Sequence, residues 1–291
     1  MSEKRILIVN ADDFGMSQAV NQGIVKTFKD GLVRSTSLLV NMPETKQAVL
    51  LAKKLKTLEV GIHLNITEGF SVSPPEEVYL LADGSGRFNF NVKNIPESMR
   101  VLKRLVETDP QTLRQISLEF ENQINQFNQF GLNLSHINIH HYISLLHPKL
   151  FEIYINTAKK FGVAYRGICR PMLDLLNSSS KDEQMIISLR EKFSFPSPDL
   201  SISNLLDGTS LKLSNDGYCE MMKSKISELS QNKELNCLEL IVHPVADNFS
   251  ETDVEYTAVK KIETFMILNE DFGRYLKKLG FELHGYSGLL L

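Results

Sequence analysis

Cysteine is scarce in this chain of 291 residues, which contains only Cys169, Cys219 and Cys237. An odd number of widely spaced cysteines argues against a disulfide framework, and the spacing offers no Cys-x-x-Cys metal site. These residues are typical of reduced thiols in a cytoplasmic protein, and we expect that location.

Long hydrophobic runs are also missing from the sequence. No stretch approaches the roughly 20 apolar residues of a membrane span, so a membrane is not an expected partner. The apolar run near the start, residues 6–9, is too short for the apolar region of a signal peptide.

The chain has no large excess of charge of either sign. Its 32 basic and 35 acidic residues give a net charge of −3, without a strongly basic stretch. A general nucleic-acid binder carries a basic patch, so nucleic acid is not an expected partner. Internal repeats and sharp shifts of composition are absent too. We therefore expect one domain over residues 1–291, a length that suits a single α/β barrel.

Apolar segments of strand length alternate with amphipathic segments of helix length, which predicts a parallel sheet with helical crossovers. The predicted strands are residues 5–10, 36–40, 59–64, 135–138, 163–168, 238–242 and 281–285. The predicted helices are residues 18–29, 44–55, 111–130, 148–161, 218–229 and a broken helix within 254–279. Residues 70–108 and 174–216 have weak periodicity, and we expect long loops there, the first of them a binding loop or lid.

Two adjacent acids, Asp12 and Asp13, follow the apolar run of the first predicted strand in the phrase Asn-Ala-Asp-Asp-Phe-Gly, residues 10–15. Two carboxylates this close either share a proton or share a cation. Acids are also common at helix N-termini, but these two precede the expected N-cap, Ser17, by too many residues to cap the helix. The end of a strand in an α/β protein is the usual place for chemistry, so a functional interpretation stands beside the structural one.

Histidines end three other predicted strands. They are His63, the cluster of His136, His140 and His141, and His243. Because the strand ends of a parallel barrel open on one face, we expect these side chains to converge with Asp13. Imidazoles and one carboxylate suit zinc, manganese, iron or another divalent cation, although a single histidine is more often a hydrogen-bonded structural residue. Of the neighbours His140 and His141, one is expected to coordinate, since adjacent strand residues face opposite sides.

Taken together, these segments resemble the YdjC-like family of carbohydrate deacetylases, which includes the chitooligosaccharide deacetylases. The resemblance rests on residues 10–15, on Ser35-Thr36-Ser37 with Asn41, and on Gly61-Ile62-His63-Leu64, residues 136–141 and Val242-His243-Pro244. It implies a (β/α) barrel of the glycoside hydrolase/deacetylase type, seven-stranded or irregular. It also implies removal of the N-acetyl group from an acetylated amino sugar or chitooligosaccharide, and a homodimer.

Carried over by position, the resemblance implies a divalent metal, magnesium or zinc, with Asp13, His63 and His140 as its ligands. Asp12 is then the general base and His243 the general acid. An arginine after the next strand corresponds to either Arg166 or Arg170. The chain departs from the family phrase with Asn138 in place of Asp, Ile139 in place of Ser, and Tyr142 and Ser144 in place of His. These changes concern the groups that orient the metal ligands.

Two other functions stay open at this point. A metal-dependent phosphoesterase or another amidohydrolase on the same barrel needs a cluster of cations for its substrate, and only Arg34, Arg166 and Arg170 lie near the candidate residues. A sugar-binding homologue that has lost turnover is the second alternative. The intact set of candidate catalytic and metal-binding residues argues against it.

Overall fold

The computed structural model of the chain describes residues 5–90, 95–176, 180–203, 213–249 and 254–290. Eight strands lie in one sheet within these ranges: β1 (Arg5–Phe14), β2 (Ser35–Leu38), β3 (Glu59–Leu64), β4 (Leu134–Ile139), β5 (Ala164–Tyr165), β6 (Leu200–Ile202), β7 (Cys237–Val242) and β8 (Phe281–His284). The α-helices of the same ranges are α1 (Gln18–Asp30), α2 (Thr45–Lys54), α3 (Ile95–Thr108), α4 (Pro110–Gln129), α5 (Pro148–Phe161), α6 (Arg170–Leu176), α7 (Ser180–Lys192), α8 (Asn215–Leu229), α9 (Val254–Leu268) and α10 (Glu270–Lys278).

The sheet is parallel and curls into an irregular barrel. Its strands follow the order β5-β4-β3-β2-β1-β7-β6, and β8 pairs with the first part of β1. A parallel bridge between Cys169 and Ser201 links the segment after β5 with β6, so the two ends of this order approach each other. The predicted (β/α) barrel of seven strands or irregular closure is confirmed.

The middle of the sheet is buried on both faces, as expected for parallel strands covered by helices. Leu7, Ile8 and Val9 of β1 are fully buried. The Ser17 hydroxyl accepts a hydrogen bond from the backbone N–H of Val20, which confirms the predicted start of α1. In the described ranges, no helix is both long and apolar enough to cross a membrane.

Two segments predicted as loops contain regular structure, so the prediction is wrong there. Residues 95–108 form α3, which buries Met99, Leu102 and Val106 along one stripe. In the second stretch, α7 and the short strand β6 interrupt the expected loop, while residues 91–94, 177–179 and 204–212 of the two stretches lie outside the described residues. Residues 70–90 remain largely irregular, apart from a short 3₁₀ turn at Pro75–Glu77 and two isolated bridges.

Candidate active site

The predicted site residues meet at the carboxyl ends of the strands. Asp12 and Asp13 lie near the end of β1, His63 lies in β3, His140 follows β4 and His243 follows β7. All five side chains are buried. Ligand atoms of Asp13, His63 and His140 all lie within 4.8 Å of one another, so the expected convergence of distant segments is observed for these three.

A local irregularity of β1 brings both acids to the same space. Consecutive side chains of a regular strand point to opposite faces, yet His63 Nε2 lies 3.8 Å from Asp12 Oδ2 and 3.5 Å from Asp13 Oδ1. The pairing of β1 with β2 shifts between Ala11 and Phe14. Within this shift, Asp13 has a φ of 72°, a left-handed conformation that is uncommon outside glycine. The strained backbone at Asp13 therefore accounts for the position of its carboxylate.

The three candidate ligands form a compact group. His140 Nδ1 lies 3.3 Å from Asp13 Oδ1 and 3.2 Å from His63 Nε2. Both carboxylate oxygens of Asp13 are buried, and neither accepts a hydrogen bond of good geometry from the described residues. Burying a carboxylate in this way is costly unless a cation compensates it. One carboxylate and two imidazoles are a donor set that fits a divalent metal.

Asn138, where the resemblance implies an aspartate, contacts both His63 and Asp12. Its Oδ1 lies 2.6 Å from His63 Nδ1, so it can accept the ring N–H and leave Nε2 facing Asp13. Its Nδ2 donates to Ser37 Oγ at 2.9 Å and to Asp12 Oδ1 at 3.2 Å. The amide therefore orients the imidazole of His63 without adding a charge beside Asp12.

Asp12 is held by charge and by hydrogen bonds. The Arg166 guanidinium donates to both of its oxygens, at 2.6 and 2.7 Å, and Ser37 and Asn10 donate to Oδ1 at 2.9 and 2.8 Å. Burial raises the pKa of Asp12, but the charge and hydrogen bonds of Arg166, together with the charges of His63 and His243, outweigh burial and hold this pKa well below its usual range. Asp12 is therefore ionised at neutral pH.

Of the two arginine candidates, Arg166 faces the site. Arg170 is half-exposed and pairs with Glu183 of α7, away from the acids. Besides holding Asp12, Arg166 donates through Nε to Glu239 Oε1 at 3.0 Å. Glu239 is fully buried and also accepts hydrogen bonds from Ser201 Oγ and Tyr286 Oη, each at 2.6 Å.

His243 pairs with a carboxylate of α9. Glu263 Oε2 accepts the backbone N–H of His243 at 2.8 Å, and it lies 3.3 Å from His243 Nδ1. Glu263 was missed in the sequence. A charged residue within the apolar pattern of α9, which buries Val259, Met266 and Ile267, was the signal that could have revealed it, because buried charges are normally paired.

The same helix supplies a second residue that the sequence analysis missed. Lys260 is fully buried, and its Nζ lies 3.6 Å from Asp13 Oδ2 and 5.3 Å from the centroid of the Phe249 ring. Burial raises the pKa of Asp13, but contacts with His140 and His63 and the charge of Lys260 together hold this pKa well below its usual range.

The remaining histidines near the cluster have other contacts. His136 is fully buried and stacks on Tyr286, with 3.6 Å between ring centroids, and it does not belong to the group around Asp13. His141 contacts Thr67 Oγ1 through Nδ1 at 2.9 Å. His147 caps α5 by accepting the backbone N–H of Lys149.

Comparisons with known proteins agree with this architecture. The sequence model of the family described as YdjC-like protein matches residues 6–278. A carbohydrate deacetylase of Clostridium beijerinckii is 30% identical over 286 residues, which cover 97% of this chain and 99% of the relative. A carbohydrate deacetylase of Brevibacillus brevis is 38% identical over 202 residues, 69% of this chain and 73% of the relative. A solved structure from Enterococcus faecalis, with a name that refers to cleavage of cellobiose phosphate, has a TM-score of 0.76 at 24% identity, covering 98% of this chain and 99% of that one.

Proposed function

Because this chain belongs to the YdjC-like protein family, we propose that it is a metal-dependent hydrolase that removes the N-acetyl group from an acetylated amino sugar or chitooligosaccharide. Relatives that align over nearly the whole chain carry the name carbohydrate deacetylase, which supports an enzyme acting on amide bonds. The observation that carries the proposal is the buried group of Asp13, His63 and His140 directly beside the ionised Asp12.

Asp13, His63 and His140 would hold the divalent cation, zinc or magnesium. When bound, such a cation lowers the pKa of water and polarises an acetyl carbonyl, which an unactivated acetamide requires. Asn138 keeps Nε2 of His63 turned toward Asp13. The arrangement thus supports ligation by one oxygen and two nitrogens, with positions left for water and substrate.

Asp12 is the proposed general base. Its carboxylate is ionised at neutral pH, so it is able to accept a proton from the attacking water. Arg166 pairs with both Asp12 and Glu239, so it holds the Asp12 carboxylate in one orientation. Asp12 and Asp13 therefore have unequal roles, one toward the proton and the other toward the metal.

His243 is the proposed general acid. The departing amine of the sugar must gain a proton, and imidazole is the side chain that exchanges one near neutral pH. Contact with Glu263 favours a ring that carries a proton on Nδ1. This leaves Nε2 as the atom that delivers the proton to the amine.

No described contact favours the phosphoesterase alternative. Arg34 donates to the backbone carbonyls of Gly31 and Val33, and Arg170 pairs with Glu183. Arg166 is committed to two buried acids. Homodimeric assembly and a cytoplasmic location stay predictions of the sequence.

The proposal is tested by incubating the zinc-loaded protein with N-acetylglucosamine oligomers and measuring released acetate. Asp12→Asn is expected to lower release about 10²–10⁴-fold, and Arg170→Met, which changes an arginine outside the site, is the control. If the zinc-bound protein releases no acetate from any acetylated sugar, the proposal is wrong.

A further inference from the structure

The loop after β3 contributes a carboxylate that contacts a candidate ligand from the side opposite Asp13. We infer that Glu68 is a positioning residue, which accepts the proton on Nε2 of His140 and so keeps Nδ1 of that ring available to the metal. The inference rests on the metal site of the proposed function.

The two ring nitrogens of His140 have different surroundings. Nδ1 lies 3.3 Å from Asp13 Oδ1, whereas Nε2 lies 3.3 Å from Glu68 Oε2. A neutral imidazole carries one N–H, so a ring that ligates through Nδ1 must carry its proton on Nε2. Glu68 is the acceptor for that proton. A carboxylate in this position fixes the tautomer and the ring orientation of a metal-binding histidine.

Glu68 is held in position by its own loop. The side-chain oxygen of Asn65 accepts the backbone N–H groups of Thr67 and Glu68, at 2.9 and 3.1 Å. The amides of Asn65 and Asn41 both donate to the carbonyl of Glu68, at 2.7 and 3.2 Å. Gly69 follows with a φ of 78°, where any side chain would be strained. The carboxylate thus belongs to a backbone that is fixed by several hydrogen bonds.

The segment that carries His140 needs such support. The next two residues, His141 and Tyr142, both have left-handed backbone conformations, with φ of 55° and 54°. Thr67, the neighbour of Glu68, contacts His141 Nδ1 at 2.9 Å. The loop after β3 therefore contacts both histidines of the strained turn after β4.

A second cation between Glu68, His140 and His141 is the competing explanation, because their ligand atoms also lie within 4.8 Å of one another. For His140 to serve two cations, its ring would have to lose both N–H protons. The hydrogen-bond distance from Nε2 to Glu68 instead fits a ring that keeps one proton. The contacts thus favour the positioning role.

The test compares zinc binding by the full-length wild-type protein with that of Glu68→Ala, Glu68→Gln and a control, Glu77→Gln, which changes an exposed acid of the same region. Zinc alone is titrated in competition with a chromophoric chelator, without sugar. We expect Glu68→Ala to weaken zinc binding about 10–100-fold, Glu68→Gln to be intermediate and Glu77→Gln to match wild type. Thermal unfolding confirms that each variant is folded. If Glu68→Ala does not fold, the test is the comparison of Glu68→Gln with wild type.

Nitrogen NMR of the zinc-loaded, histidine-labelled protein supplies a readout that general damage to the fold does not move. We expect zinc on Nδ1 of His140 in wild type, and a mixture of Nδ1 and Nε2 ligation in Glu68→Ala. Unchanged zinc affinity in both Glu68 variants overturns the inference. A fall from two bound zinc ions in wild type to one in these variants also overturns it, because Glu68 would then be a ligand of a second cation. A wild-type protein that binds no zinc contradicts the proposed function together with the inference, whereas normal zinc effects without acetate release contradict the deacetylase proposal alone.

Discussion

Arg166 donates two parallel hydrogen bonds to Asp12, from Nη1 to Oδ2 at 2.6 Å and from Nη2 to Oδ1 at 2.7 Å. Its third contact, from Nε to Glu239, fixes the plane of the guanidinium from the other side. Bidentate pairs of this kind add geometric specificity as well as energy. The orientation of the proposed base is therefore set by a buried cation between two buried acids.

Replacing Arg166 by methionine should destabilise the protein strongly. Asp12 and Glu239 would then remain buried without their cation. Removing one partner of a buried ion pair typically lowers the free energy of unfolding by about 3–5 kcal/mol. The measurement is the free energy of unfolding in urea. Arg170→Met, at a half-exposed position, should change it by less than about 0.5 kcal/mol. Equal effects of the two substitutions would contradict the assignment of Arg166 to the site.

The two neighbouring acids should respond differently to the same substitution. Asp13→Asn removes a proposed ligand, so we expect loss of bound zinc and of acetate release. Asp12→Asn should leave zinc bound while turnover falls about 10²–10⁴-fold, because the base is lost. Zinc content and acetate release are measured on the same preparations. Loss of zinc in Asp12→Asn would contradict the role of Asp12 as a base that does not bind the metal. Retention of zinc in Asp13→Asn would contradict the role of Asp13 as a ligand.

His243→Asn should separate proton donation from metal binding. Asparagine retains a donor for Glu263 but has no group at the position of Nε2, so turnover should fall about 10²–10⁴-fold with zinc content unchanged. The matched control is His284→Asn, at the end of β8 and outside the described site contacts. A full rate in His243→Asn would exclude this residue as the acid.

His136 should make the protein acid-sensitive. Burial, followed by the charge of Arg166, lowers the pKa of His136 in the folded state well below 6.5. As the pH falls below about 6.5, the unfolded chain takes up a proton that the folded chain refuses, so the free energy of unfolding decreases by up to about 1.4 kcal/mol per pH unit.

The stability that the protein gains from keeping His136 neutral is therefore fully present above pH 6.5, and it is lost as the pH decreases. The measurement is the difference in unfolding free energy between pH 7 and pH 5, which should be smaller in His136→Gln than in wild type. Using a difference removes the constant loss from the missing ring stack on Tyr286. The same pH dependence in both proteins would show that folding does not lower the pKa of His136.

Strand and helix positions were largely predictable because buried parallel strands and amphipathic helices leave different periods in the sequence. Strand β3 and helix α5 begin and end at the predicted residues. Strand β6, with three residues, is too short for any period to show. Helix α3 does carry an apolar stripe, but this stripe covers only part of residues 70–108, whose weak overall periodicity predicts a loop.

The candidate ligands could be predicted because each ends a strand, and parallel strands end on one face. The acids that contact the site residues could not be predicted, since Glu68 lies in a loop, Glu239 in β7 and Glu263 in α9. Contacts of this kind depend on tertiary packing rather than on spacing along the chain. The choice between Arg166 and Arg170 was also decided by packing alone.

Strand β1 has consequences for how the chain folds. Its partners β7 and β8 lie far along the chain from it, so the strand that bears both acids pairs with segments that are made much later. Loop closure over such distances slows folding and leaves unpaired strand edges exposed meanwhile. During synthesis, Asp12 and Asp13 are part of an incomplete sheet until β7 and β8 have been made. A competent site therefore forms only once nearly the entire barrel has assembled.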